Sequence, residues 1–253
     1  MTPLESIVVR CFVVVFALTA LSCADGTTVG ANRLLVSTDQ TGDWEILDVN
    51  LDSSIAIPIT KNTGGNNKDP SWSPNGGQVA TSSNRLEDYE LFVLDVDGSV
   101  VRQLTDNHVS DEQPAWSPDG GFIAFKSDRT GDVELFVMRP DGTEIRQLTD
   151  SPGEDWNPAW SPDGKSLAFA SNRNGNWDIF VMRPDGTEVR QLTDSPGTDL
   201  EPVWSPDGKQ LAFTSNRDGR LEVFLLEVSS QNISKTGITG IPADWRYGEG
   251  SEE

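Results

Sequence analysis

The sequence contains very few of the residues that usually carry out catalysis or form crosslinks. Its 253 residues include two cysteines, Cys11 and Cys23, and a single histidine, His108. Both cysteines lie close to the N-terminus, so the rest of the chain offers no thiol for a disulfide, a metal site or a nucleophile. The sequence also has no Gly-x-Ser-x-Gly element, histidine cluster or phosphate-binding loop. The composition therefore argues against an enzyme and a resident cofactor.

Positive charge is scarce as well. The chain has 19 lysines and arginines against 40 acidic residues, which gives a formal net charge of −21. A surface of this sign repels the phosphate backbone, so we expect no nucleic-acid partner. It favours cations, basic surfaces or simple solubility instead.

Long apolar runs are missing apart from one near the N-terminus. The apolar run of twelve residues over 11–22 follows Arg10. A helix of that length spans only about 18 Å, less than the roughly 30 Å of a bilayer core. The run therefore predicts a signal peptide over residues 1–22 rather than a membrane span.

The residues Thr19-Ala-Leu-Ser-Cys23 resemble a bacterial lipoprotein processing site. The resemblance implies that Cys23 is lipidated and that residues 23–31 form a linker. It also implies an extracytoplasmic protein whose only membrane contact is the lipid anchor, on the periplasmic side or at the outer membrane. An ordinary signal peptide that happens to contain Cys23 is the alternative.

A repeat of 44 residues fills most of the chain. Pro-x-Trp-Ser-Pro-Asn/Asp-Gly occurs four times, around Trp72, Trp116, Trp160 and Trp204. A period of about 40 to 45 residues with four strand-length runs is typical of a β-propeller blade. The third repeat shows the four predicted strands most clearly, at 158–161, 166–171, 177–182 and 189–193. The turns between them contain Pro and Gly at the places that type I turns favour.

The segments that flank the repeats predict how the propeller closes. Residues 33–37, 43–47 and 55–60 match the second, third and fourth strands of a blade, and residues 241–247 match a lone first strand. We therefore predict a single all-β propeller of five blades over 32–247, closed by the C-terminal strand, with an acidic tail over 248–253. An open ring, or one completed by a second copy, is the alternative to a closed monomer.

The repeat also resembles a known family. The residues Gln103-Leu-Thr-Asp106, Pro114 to Gly120, Ile123 to Gly131 and Leu135 to Met138 are similar to the WD40-like repeat of TolB propellers. The resemblance covers roughly residues 31 to 247, without the N-terminal α/β domain of TolB and without a peptidase domain. It implies a propeller of the cell envelope, and it is much less specific for function than for fold.

One set of loops provides the candidate site. Three aspartates, each three residues before the repeated proline, should line one mouth of the propeller, with Asn67 at the fourth equivalent place and Trp156 beside them. They are Asp111, Asp155 and Asp199. Such a ring would concentrate negative potential and suit a cation, an amine or a basic peptide. The alternative is that each aspartate only stabilises its own loop by hydrogen bonds.

Other repeated residues have a structural interpretation. We expect the four repeated tryptophans to pack between blades. The repeated arginines should form salt bridges between blades, and His108 should be an exposed loop residue. These arginines are Arg85, Arg129, Arg173 and Arg217.

Three functions fit these features. The first is a binding scaffold for an envelope protein or peptide, the second a carbohydrate-binding or carbohydrate-active propeller, and the third a structural domain stabilised by Ca²⁺. The fold alone does not decide among them.

Overall fold

The computed structural model describes residues 15–17, 33–39, 42–50, 53–61 and 63–239. All regular structure in these residues is β-strand, arranged as five antiparallel sheets of four strands. The first sheet contains β1 (Val15–Ala17), β2 (Arg33–Thr38), β3 (Glu45–Asn50) and β4 (Ile55–Pro58). The five-bladed propeller of four-stranded blades is therefore confirmed.

The four later blades follow the 44-residue repeat. The second blade contains β5 (Asn67–Trp72), β6 (Gln78–Leu86), β7 (Asp88–Asp95) and β8 (Val100–Gln103). The third contains β9 (Asp111–Trp116), β10 (Ile123–Ser127), β11 (Glu134–Met138) and β12 (Arg146–Gln147). The fourth contains β13 (Asp155–Trp160), β14 (Leu167–Ser171), β15 (Asp178–Met182) and β16 (Arg190–Gln191). The fifth contains β17 (Asp199–Trp204), β18 (Gln210–Ser215), β19 (Glu222–Glu227) and β20 (Ile233–Thr239).

Apolar layers join each sheet to the next. The middle strands carry buried residues on both faces, as in β14, where all five residues are buried. Phe125 packs against the second blade, Phe169 against the third and Phe213 against the fourth, and all three are fully buried. Sheets buried on both faces lose the simple alternation of apolar and polar residues. This packing fixes the relative position of successive blades.

The repeated tryptophans lie at these same interfaces, as the sequence predicts. Trp72 and Trp204 are 7% exposed. The indole N–H of Trp160 donates to the carbonyl of Ala115 in the preceding blade at 3.0 Å, and Trp204 does the same to Ala159. Trp116 packs against the core between the second and third blades. Their role is to join blades.

The edge of the first sheet differs from expectation. Val15–Ala17 pairs with β2, with Val15 opposite Val36. These residues belong to the segment predicted to be a signal peptide, and residues 241–247, predicted to fill this edge, lie outside the described residues. If residues 1–22 are removed, the edge of β2 becomes available. Closure by the C-terminal strand therefore stays a prediction.

Candidate functional site

The residues predicted to line the mouth begin the inner strands of the second to fifth blades. Asn67, Asp111, Asp155 and Asp199 are all 0% exposed. They lie at the end of the propeller formed by the loops that enter the inner strands, 106–110, 150–154 and 194–198. We call this end the entrance end. Their burial means that a ligand at this end would meet the surrounding loops first.

An arginine covers each of the three aspartates. Arg173 Nη2 donates to Asp155 Oδ2 at 2.8 Å, and its Nε donates to the hydroxyl of Ser171 at 2.8 Å. The guanidinium also lies over the rings of Phe169 and Phe180. Equivalent pairs join Arg129 to Asp111 and Arg217 to Asp199 at 2.8 Å. In the second blade, Arg85 donates to Asn67 Oδ1 at 2.8 Å.

These ion pairs correct one expectation. Each arginine and its aspartate belong to the same blade, so they do not bridge neighbouring blades as predicted. The turn between the second and third strands lies beside the start of the inner strand of its own sheet, because Ser171 pairs with Asp155 across β14 and β13. Each arginine therefore binds the aspartate of its own blade.

A second layer of carboxyl groups faces the aspartates from the preceding blade. Glu134 accepts hydrogen bonds from the hydroxyl of Thr149 and the backbone N–H of Ser151 at 2.9 Å, and its carboxyl also contacts Asp155. Burial, with the neighbouring Asp155 charge, raises the pKa of Glu134 to about 7. Burial likewise raises the pKa of Asp178, which faces Asp199, to about 6. Glu90 is the corresponding group one blade earlier, and its pKa is also raised by burial.

A third layer of acids is exposed. Asp106, Asp150 and Asp194 follow the outer strands of the second to fourth blades, and all three are solvent-exposed. Among the described residues, no salt bridge involves any of them. Asp106 and Asp194 contribute to the raised pKa values of Glu90 and Asp178, which places their charges close to the buried acids.

These exposed aspartates are not among the site residues predicted from the sequence. Their signal was present, because each is the last residue of a Gln-Leu-Thr-Asp unit and they are 44 residues apart. Burial separates the two sets: Asp111, Asp155 and Asp199 form the inner acidic layer, and Asp106, Asp150 and Asp194 form the layer that solvent reaches.

Trp156 lies near the inner layer but is not a free stacking surface. Its ring is 4.6 Å from the ring of Trp177, and the ammonium group of Lys126 lies 4.8 Å from its centroid. Lys126 also pairs with Glu112 at 3.5 Å, and Glu112 pairs with Lys68 of the second blade. Lys126 therefore has both an aromatic and an acidic neighbour here, while the buried indole N–H of Trp156 has no hydrogen-bond partner among the described residues.

Other candidate chemistry is limited in the part of the chain that the structure describes. No group of three or more His, Cys, Asp or Glu residues there could hold a metal ion. His108 is exposed, as expected. Within those same ranges there is no helix long and apolar enough to cross a membrane. Cys23 lies outside the described residues.

Comparisons with known proteins agree with the fold. A family model described as the TolB beta propeller domain matches residues 38–155 and 143–244. No curated protein matches the chain in sequence. A protein described as TolB from Agrobacterium tumefaciens is similar in structure, with 24% identity and a TM-score of 0.72, covering 81% of this chain and 76% of that protein.

Two further structures show how widely the fold is used. TolB from Acinetobacter baumannii has 20% identity and a TM-score of 0.73, covering 83% of this chain, which spans about half (53%) of that protein. Oligogalacturonate lyase from Vibrio parahaemolyticus has 14% identity and a TM-score of 0.60, covering 88% of this chain and 66% of the lyase. The similarity therefore includes enzymes, and at these identities it concerns the fold.

Proposed function

Because the chain belongs to the TolB β-propeller family, we propose that it is a cell-envelope lipoprotein that binds a protein or peptide partner at its entrance end. Lipidation at Cys23 would hold the propeller at the membrane surface on the extracytoplasmic side. The rigid stack of blades would present one end to the partner. This function requires no cofactor.

The exposed acids at the entrance end carry the proposal. Asp106, Asp150 and Asp194 repeat at three successive blade junctions, above the buried carboxyl groups of Glu90, Glu134 and Asp178. Like charges arranged in this way attract a basic segment and speed its association. We therefore propose a partner whose binding segment is rich in lysine or arginine.

The turns at the opposite end use their acids differently. Asp141 Oδ1 accepts from the backbone N–H and hydroxyl of Thr143, and Asp185 does the same with Thr187. These hydrogen bonds lower the pKa values of both aspartates. The carboxylates at that end stabilise turns, which leaves the entrance end as the better docking surface.

The alternatives have less support in the side-chain geometry. The Trp156 ring already contacts Lys126 and Trp177, so sugar stacking there would compete with these contacts. The facing carboxyl groups of Glu134 and Asp155 are 2% and 0% exposed, so a substrate would not reach them. We therefore propose a binding protein and no enzymatic activity. Stabilisation by Ca²⁺ stays an untested alternative.

The test uses a charge-neutral triple variant, D106N/D150N/D194N, and a fluorescent hexalysine peptide as the probe. Binding is measured by anisotropy at low and at physiological salt. A matched control, E144Q/E188Q/E227Q, removes three exposed acids from the opposite end. We expect the entrance-end variant to lose at least tenfold in affinity, and the control to lose much less. Equal losses in the two variants would show that the peptide responds only to net charge.

A further inference from the structure

The junction between the first and second blades shows how a buried acid is satisfied. Asn67 Nδ2 donates to Glu45 Oε2 at 3.2 Å, and the Asn67 carbonyl oxygen accepts from Arg85. Glu45 is 7% exposed and Asn67 is 0% exposed. The amide nitrogen thus reaches the carboxylate as well as the hydroxyl of Thr63 at 2.6 Å, while the amide oxygen accepts from the guanidinium.

The junction between the third and fourth blades has the same arrangement with one change. Glu134 takes the place of Glu45, Arg173 that of Arg85, and Asp155 stands where the amide would be. A carboxylate cannot donate a hydrogen bond. Asp155 Oδ1 is buried and has no hydrogen-bond donor among the described residues, although the carboxyl group of Glu134 lies against Asp155.

The charges at this junction do not balance without a further positive charge. Two buried carboxyl groups, Glu134 and Asp155, lie at this junction, and the guanidinium of Arg173 pairs with Asp155. Arg129 is bound to Asp111 of its own blade, while Asp150 and Glu154 add negative charge from the loop between β12 and β13. An uncompensated buried charge is expensive, and a shared proton removes it.

We propose that Glu134 and Asp155 share one proton, which makes the hydrogen bond that the Asn67 amide makes at the first junction. The proton lies between the two carboxyl groups, while the other side of Asp155 remains bound to Arg173. The third and fourth blades are then joined most firmly when this proton is present. The stability of this junction, which lies beneath Asp150 of the entrance end, therefore depends on pH.

The direction of the pH dependence follows from the raised pKa of Glu134, about 7 in the folded protein against an ordinary value of 4.5. The folded state holds this proton more tightly than the unfolded chain. Its stabilising effect is complete below the ordinary pKa and is lost as the pH rises towards and through about 7. In that interval, one such proton changes the unfolding equilibrium constant by up to tenfold per pH unit.

The other blade junctions support a shared proton less strongly. Gln191 Nε2 donates to Asp178 Oδ2 at 3.1 Å, and Asn107 Nδ2 donates to Asp111 Oδ2 at 2.7 Å. Each of these junctions therefore has an amide donor near its carboxyl groups. Among the described residues, no amide side chain donates to either Glu134 or Asp155.

The decisive variant is D155N, which restores the amide of the first junction. Unfolding by urea is measured between pH 5 and 8.5 for the wild type, D155N and N67D, with D132N as an exposed Asp-to-Asn control. D155N should reduce the pH slope of the unfolding constant by up to one proton. N67D should increase it by a similar amount, and D132N should leave it unchanged.

A direct readout follows the Glu134 carboxyl carbon by NMR in protein labelled with ¹³C-glutamate. We expect a titration midpoint near 7 in the wild type and a midpoint within the ordinary range for glutamate in D155N. If D155N does not fold, E134Q is used instead, because its side-chain amide can donate a hydrogen bond to Asp155. It should reduce the pH slope of the unfolding constant by the same amount. A wild-type midpoint below 5, or identical slopes in the wild type and the folded variant, would overturn the proposal.

Discussion

Replacing Arg173 by methionine tests whether the arginine–aspartate unit stabilises each blade. The change removes the 2.8 Å bond to Asp155 and the bond to Ser171, while the methionine can still pack over Phe169. The Arg173 side chain is 16% exposed and that of Asp155 is 0% exposed. The variant therefore leaves a buried carboxylate without its cation.

The expected cost follows from that burial. Removing one partner of a buried ion pair typically costs about 3–5 kcal/mol. We expect about 3 kcal/mol, the lower end of this range, because the Arg173 side chain is partly exposed. For a domain of this size, about 3 kcal/mol corresponds to a fall in melting temperature of roughly 6–12 °C.

The assay is thermal and urea unfolding at pH 7, with R183M as the matched control. Arg183 pairs with Glu188 at 2.9 Å, but these side chains are 58% and 63% exposed, so the loss should be below about 1 kcal/mol. Adding D155N to R173M removes the stranded charge and should recover part of the lost stability. Equal losses for R173M and R183M, or no recovery with D155N, would refute the reasoning.

Two further predictions concern the turn chemistry and the anchor. Gly186→Ala should cost at least 2 kcal/mol and Gly175→Ala about 1 kcal/mol, as measured by urea unfolding. Both glycines have a positive φ, which is unfavourable for alanine. A Cβ at Gly186 would also lie 2.5 Å from the Leu148 carbonyl oxygen, whereas one at Gly175 would meet nothing within 4 Å. Similar losses in the two glycine variants would show that the close contact does not matter. Cys23→Ser should move the protein from the membrane fraction to the soluble fraction of the envelope, because it removes the site of the proposed lipid anchor. Retention in the membrane fraction would exclude lipidation as the means of attachment.

Much of the fold could be predicted because its cause is local and repeated. Each blade needs its own turn residues, and the Pro and Gly positions recur with the same spacing as Trp72, Trp116, Trp160 and Trp204. Four successive copies leave little freedom in the order or direction of the strands. The four later sheets accordingly appear with the predicted strand order, and the first sheet differs at the edge where Val15–Ala17 pairs with β2.

The candidate site was harder to predict because a repeated position does not reveal how deeply its side chain is buried. Asp111 and Asp106 both recur every 44 residues, yet the first is fully buried and the second is exposed. Asp111 begins the inner strand of its blade, whereas Asp106 lies in the loop before that strand. Which of the two positions is buried depends on packing between blades. For the same reason, the sequence could not show that Arg129 binds its own blade.

The exceptions within the repeat are more informative about function than the positions that all blades share. Lys68 lies over Tyr89 at 3.8 Å in the second blade, whereas Trp156 lies against Trp177 at the same two positions of the fourth blade. Such pairs differ in charge and shape from one blade to the next, while the buried unit of Arg, Ser and Asp or Asn barely changes. A uniform layer can support the blades but cannot distinguish one partner from another, since every blade would present the same surface. For the proposed binding function, specificity would therefore come from the non-identical residues at the entrance end, and the acidic layer would supply attraction common to any basic segment.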